Sequence, residues 1–152
     1  MPIRIIAIGK KHESWIAEGI QRYQKRLKQP FNVEWVILPH SSLTDVTAQQ
    51  EESQRILLRL NANDYVILLD ERGESVDSGK LSKLILKILE ASKNLVIVIG
   101  GAYGVDDTIL KRANFVWSLS ELVFPHQLVR LILIEQLYRS QEIAAGNPYH
   151  HE

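Results

Sequence analysis

Leu95-Val96-Ile97-Val98-Ile99, followed by Gly100-Gly101-Ala102-Tyr103-Gly104, is the stretch on which the fold turns. Five consecutive β-branched or aliphatic residues leave no polar side for water. Such a run suits a strand covered on both faces, as in a parallel sheet between helices. Two adjacent glycines then end the strand where the chain must turn.

Working outward, Tyr65–Leu69 is a second run of the same kind. Between the two, Leu81, Leu84, Ile85, Ile88 and Leu89 recur at helical spacing after Ser78-Gly79,. Toward the N-terminus, Ile3–Ile8 reads as a strand closed by Gly9. Glu13–Leu27 reads as a helix with Ile16, Ile20, Tyr23 and Leu27 on one face,. Asn32–Leu38 is a further strand, and residues 47–60 suit a helix. On the C-terminal side come a strand over Phe115–Leu119 and a last helix over about 126–143. That helix is apolar nearly all round, so its surplus surface belongs either to a subunit interface or to deep burial. Glu135 and Arg139 form an i, i+4 pair along it. The alternation predicts an α/β domain with a mostly parallel sheet flanked by helices. Ligands in such folds bind beyond the carboxyl ends of the strands. Three segments lie there: Leu69–Gly73, Gly100–Gly104 and Leu119–Pro125.

The chain has 152 residues, 45% hydrophobic and 24% charged. That length fits one domain, which can bury roughly 70% of the surface its unfolded chain exposes and needs no metal or disulfide staple. No cysteine is present, which excludes disulfides, thiolate metal sites and cysteine nucleophiles,. The N-terminus lacks a signal-peptide pattern and no apolar run reaches membrane-spanning length, so a cytoplasmic protein is expected, with no membrane partner. Net charge is zero, but residues 1–30 carry seven basic side chains against two acidic ones. Arg4, Lys10, Lys11, Arg22, Lys25, Arg26 and Lys28 form either a phosphate-facing patch or a solvated helix face.

Gly100–Gly104 is neither a dinucleotide fingerprint nor a P-loop, because its first glycines are adjacent and no Gly-Lys-Ser/Thr follows. It reads equally as a tight turn that lets the backbone adopt positive φ and as a cofactor cradle, with Asp106 or Asp107 capping a short helix behind it. Ser118–His126 places apolar side chains in a loop. It is either a buried connection or one wall of a slot for a flat, uncharged ring. His12 and His40 sit in polar loops, and His126 opens the last helix. His150 and His151, adjacent in the tail, make a poor pair of metal ligands. No Ser-centred elbow or carboxylate pair specifies hydrolysis.

Taken together, Ile-Gly-Gly-Ala-Tyr-Gly (99–104), Trp-Ser-Leu-Ser (117–120), Phe-Pro-His-Gln-Leu-Val-Arg (124–130), Ile-Glu-Gln-Leu-Tyr-Arg (134–139) and Asn-Pro-Tyr-His-His-Glu (147–152) resemble one family from end to end. It is the bacterial ribosomal RNA large subunit methyltransferase H family, small members of the SPOUT superfamily. The opening Ile-Ala-Ile-Gly-Lys (6–10) and Leu-Leu-Asp-Glu-Arg-Gly (68–73) fit it too. The resemblance implies a single methyltransferase domain over residues 1–152 with a C-terminal trefoil knot. It implies S-adenosylmethionine as methyl donor and N3 of a pseudouridine in 23S ribosomal RNA of the assembled 70S ribosome as acceptor. It further implies a homodimer. Leu69, Gly100, Leu119, Ser120, Glu121, Leu122, Val123 and Phe124 match the family's cofactor contacts. His126, Arg130, Arg139 and the Tyr149-His150 tail match positions near the acceptor, and the tail of one subunit would complete its partner's site. His126 or His150 is then the candidate base, and Arg130 or Arg139 the group that stabilises developing charge or a phosphate. Two other readings fit the fold: a nucleotide-binding module without catalysis, and a ribosome-assembly factor that binds RNA.

Overall fold

The computed structural model describes residues 1–151. Its elements are β1 (Ile3–Ile8), α1 (Ser14–Gln24), β2 (Val33–Leu38), α2 (Asp45–Leu57), β3 (Tyr65–Glu74), α3 (Ser78–Glu90), β4 (Leu95–Ile99), α4 (Asp107–Arg112), β5 (Phe115–Trp117) and α5 (His126–Ala144). The five strands form one sheet in the order β2-β1-β4-β3-β5, and every pairing is parallel. All residues of β4 are buried, as its unbroken apolar run requires at the centre of a sheet covered on both sides,.

Side chains alternate between two cores with the period of a strand. Ile3, Ile5 and Ala7 of β1, Ile67 of β3 and Leu95, Ile97 and Ile99 of β4 face a core shared with Ile16 and Ile20 of α1, Leu81, Ile85 and Ile88 of α3, and Leu133, Ile134 and Leu137 of α5. Ile6, Ile8, Val66, Leu68, Val96 and Val98 face the opposite core, closed by Ile56 of α2 and Ile109 of α4. Helices thus cover both faces, and all five strands release their chains at the same end. Two helices carry side-chain caps: Asp77 accepts a hydrogen bond from Lys80 N at α3, and Asp106, one of the two caps expected before α4, accepts from Thr108 N,.

Two strand ends depart from expectation. β3 runs on past Leu69 to Glu74, although Asp70-Glu71-Arg72-Gly73 is too polar and glycine-bearing to read as strand. β5 stops at Trp117, two residues short. The physical link is a register shift in the ladder between the two. After Leu69 pairs with Trp117, Glu74 pairs with the same residue, and Ser118 N donates to Glu74 O at 3.0 Å. Residues 70–73 bulge over the end of β5, and tertiary pairing overrides their propensity. Gly73 makes this approach possible, because a Cβ there would lie 2.5 Å from Val116 O and 2.7 Å from Trp117 N. Gly73→Ala is therefore expected to destabilise the protein by about 3 kcal/mol, the upper range for overpacking against a backbone that cannot yield. A urea midpoint unchanged from the parent would refute that reading.

Candidate functional site

A cavity of about 640 Å³ opens at the carboxyl ends of β3, β4 and β5. Three segments make its walls: Leu69–Arg72, Ile99–Val105 and the loop from Ser118 to Phe124, with His126 and Val129 of α5 closing one side. These are the strand ends singled out from the sequence. Leu69, Gly100, Leu119, Ser120, Leu122, Val123 and Phe124 all line the cavity; Glu121 does not, and is exposed. The turn over 120–122 explains the exception. Ser120 Oγ accepts from Leu122 N at 3.0 Å, which folds the segment back and leaves Glu121 at its outer corner,. Leu122 and Val123 are 71% and 84% exposed, so the apolar loop is no buried connection. Such unpacked apolar side chains at a cavity mouth mark a surface for binding.

The glycines act by close approach, not by positive φ at the strand end. Only Gly104 in this loop has a left-handed backbone, at φ 74°, and its amide closes the turn by donating to Gly101 O at 3.0 Å. At Gly101 a Cβ would collide with the carboxylate of Glu52 and lie 3.0 Å from Ile8 Cγ2. At Gly100 it would lie 3.0 Å from Val105 Cγ1. The loop is held from below by α2, the helix expected over residues 47–60, whose contact with the glycine turn no motif announces. Gln49 Nε2 donates to Tyr103 O at 2.9 Å, and Ser53 Oγ accepts from Asp106 N at 3.0 Å. Gln49, Glu52 and Ser53 fall at i, i+3 and i+4, one face of the helix. A polar triplet facing inward on a core-packed helix was the available signal.

Across the cavity, Arg72 forms a two-point pair with Asp70, Nε to Oδ1 and Nη2 to Oδ2, both at 2.8 Å. Its hydrogen bond holds the Asp70 carboxyl below the usual range, and Arg72 Nη2 also reaches toward Val105 O at 3.5 Å. The end of β3 and the glycine loop are thereby joined at the cavity rim.

His126 lines the cavity while the residue keeps an exposed edge. Desolvation where the ring meets the protein, and then the positive charge of Arg130, lower its pKa; Glu52 acts in the opposite sense. The imidazole is neutral at pH 7 and able to accept a proton. Arg130 itself is 1% exposed. Its Nη1 donates to Lys10 O at 2.8 Å and lies 3.3 Å from His12 Nδ1, and its Nε has no partner among the described residues. A guanidinium so enclosed cannot hold a phosphate in this arrangement. What it does is tie the segment after β1 to α5 and depress the pKa of His12 and His126, in each case after burial.

Arg139 and His150 lie elsewhere, so the four candidates do not form one cluster within a chain. Arg139 follows His126 on α5 by about 20 Å at the rise of an α-helix,. Its guanidinium pairs with Glu135 at 2.9 Å, lies 3.0 Å from His150 Nδ1 and stacks 4.8 Å from the Tyr149 ring centroid. Tyr149 donates its hydroxyl to Glu135 at 3.0 Å, and burial followed by that carboxylate pushes its pKa up to about 12. His150 lines a second cavity of about 570 Å³, behind Leu119 and beside Ile132 and Gln136. The tail is anchored on its own helix rather than over the first cavity. His151 is exposed.

Of the seven N-terminal basic residues, Arg4 is occupied by Asp64 at 2.9 Å. The other six are exposed, and none makes an ion pair among the described residues. Among the same residues no helix is long and apolar enough to cross a membrane.

Comparison with known proteins places the chain in a family. Residues 1–150 match the family described as "Predicted SPOUT methyltransferase". A protein of Acetivibrio thermocellus named ribosomal RNA large subunit methyltransferase H is 40% identical over 158 aligned positions, covering 99% of each chain. One of the same name from Enterococcus faecalis is 37% identical, again over 99% of each. Among solved structures, a methylase family protein from Neisseria gonorrhoeae superposes with a TM-score of 0.52 at 11% identity, over 99% of this chain and 85% of that one, which speaks to the fold alone.

Proposed function

Since this chain belongs to the ribosomal RNA large subunit methyltransferase H family of SPOUT methyltransferases, we propose that it methylates N3 of a pseudouridine in 23S ribosomal RNA, with S-adenosylmethionine as donor and the assembled 70S ribosome as substrate. The carrying observation is the cavity over β3, β4 and β5. Its volume falls within the range of small-molecule sites, and it combines an apolar slot with a glycine turn whose Gly101 backbone packs too closely on Glu52 and Ile8 to carry a side chain,. Leu69, Leu119 and Phe124 suit an adenine ring, while main-chain groups at Gly100 and over residues 119–124 read its edge. The resemblance adds that residues 1–152 act as one domain with a C-terminal trefoil knot, and the cytoplasm expected from the sequence is where ribosomes would be met.

Bound there, S-adenosylmethionine supplies a methyl group already activated by a sulfonium. The protein's task is then to align the acceptor and remove its proton. Leu69, Gly100 and the 119–124 loop would hold the donor, and an imidazole of this chain would accept the N3 proton as the methyl is transferred. His126, neutral and on the cavity wall, is the base that this geometry favours. Arg139 stands about 20 Å along α5 from His126, and Tyr149 and His150 pack against it,. A homodimer would let one subunit's tail cluster meet the other's cavity, and the groove between α1 and α5 lined by Trp15, Leu128 and Ile132 offers apolar surface for such pairing.

The test is transfer of labelled methyl to intact ribosomes compared with naked 23S RNA, followed by nucleoside analysis. Label in N3-methylpseudouridine from ribosomes is expected; no label from either substrate would overturn the reading. The exposed basic residues should serve particle binding. Lys25→Glu with Arg26→Glu is expected to weaken ribosome association about tenfold or more at low salt, since two phosphate contacts turn repulsive. Donor affinity should stay constant, and a parallel loss of both would point to misfolding.

A further inference from the structure

Glu52 lies beneath the glycine turn. It is 3% exposed. One oxygen, Oε2, accepts from Ser41 N at 2.8 Å; the other, Oε1, has no hydrogen-bond partner among the described residues. No lysine, arginine or histidine pairs with it among those residues either. Oε1 lies directly against Gly101, on the side where any other residue would carry its Cβ. Gly101 lines the cavity, so only a glycine backbone separates the buried anion from that space.

A buried carboxylate with half its acceptor capacity unused is costly unless a positive charge compensates it. In the low dielectric behind the turn its field is poorly screened and reaches across one residue's thickness. The nearby cations do not neutralise it: Arg130 is turned to Lys10 and His12, and Arg72 to Asp70. We infer that Glu52 is the fixed counter-charge for a cationic ligand in the cavity, and that it makes the pocket prefer the sulfonium donor to its neutral thioether product. This deepens the donor reading given above and rests on it. The two ligands differ by one methyl and one positive charge. A pocket that merely fitted their common adenosine and amino-acid parts would hold both about equally. One with a buried anion at the turn holds the spent product less tightly, which favours its release after transfer.

Calorimetry on the full-length protein decides the matter, with S-adenosylmethionine and S-adenosylhomocysteine as probes for the parent, Glu52→Gln and Ser53→Ala. Glu52→Gln keeps an acceptor for Ser41 N and removes the charge. It is expected to weaken S-adenosylmethionine about tenfold and S-adenosylhomocysteine less than about twofold, collapsing the ratio between them. That ratio is one a buried charge at this range would set. Ser53→Ala loosens the same loop at Asp106 N without altering charge, and should shift both ligands in parallel. If Glu52→Gln also shifts both in parallel, Glu52 is only a strut and the inference falls. If the parent binds neither ligand, it is the donor reading that fails instead.

Discussion

Gly101→Ala is expected to weaken binding of S-adenosylmethionine by about a hundredfold while the protein remains folded. Alanine carries no conformational objection here, because the positive φ of this loop belongs to Gly104. The objection is spatial. Its methyl would enter the Glu52 carboxylate and press on Ile8 Cγ2 at 3.0 Å. Ile8 belongs to a central strand and is 2% exposed, so it cannot retreat. Glu52 is fixed by Ser41 N, leaving the loop to move instead, away from α2 and into the cavity it lines. Overpacking of this kind costs about 1–3 kcal/mol, and at 1.4 kcal/mol per decade the upper end is a hundredfold in affinity. Calorimetry of the variant, beside a thermal melt, checks it. Unchanged affinity would mean that the turn does not shape the donor site. Loss of the melting transition would mean that the clash was relieved by unfolding.

The same residue shows how far the sequence could be read. That two adjacent glycines follow the central strand, beside Leu69 and the 119–124 loop, was legible, because buried parallel strands announce themselves by unbroken apolar runs and ligands gather at their carboxyl ends. Why Gly101 must be glycine was not legible. The reason is Glu52, about fifty positions earlier; its spacing with Gln49 and Ser53 puts it on one helix face, but nothing in the sequence says that this face meets the glycine turn. The extension of β3 through Asp70–Glu74 was hidden for a related reason, since its backbone is held by β5 against the preference of its own residues. Arg130 taught the converse. Its place among acceptor-side positions made it a candidate to stabilise developing charge or a phosphate, yet the fold encloses it at 1% exposure, tied to Lys10 O. Family position carried the residue correctly to α5, but only the packing assigns its side chain to the β1 side and away from any phosphate. The separation of His126 from Arg139 was implicit in the helical period, which puts them more than three turns apart on an unbroken helix.

That separation makes His126 the residue with the most at stake in catalysis. His126→Ala is expected to lower the single-turnover rate of methyl transfer to ribosomes by about a hundredfold or more, within the range for a lost general base. Its pH profile should identify the cause. Burial and then the Arg130 charge lower the His126 pKa from its ordinary value. The parent rate should therefore hold to lower pH than it would with a free imidazole, whose pKa is about 6.5. It should fall only on further acidification, as the proton that occupies the ring blocks acceptance of the one on N3. The alanine variant should lose this acidic limb together with its rate. His150→Ala separates the two histidines. If it removes both rate and limb while His126→Ala leaves them intact, the base resides on the tail and the dimer must deliver it to the cavity. If both variants turn over like the parent, neither ring takes the proton and water performs that step.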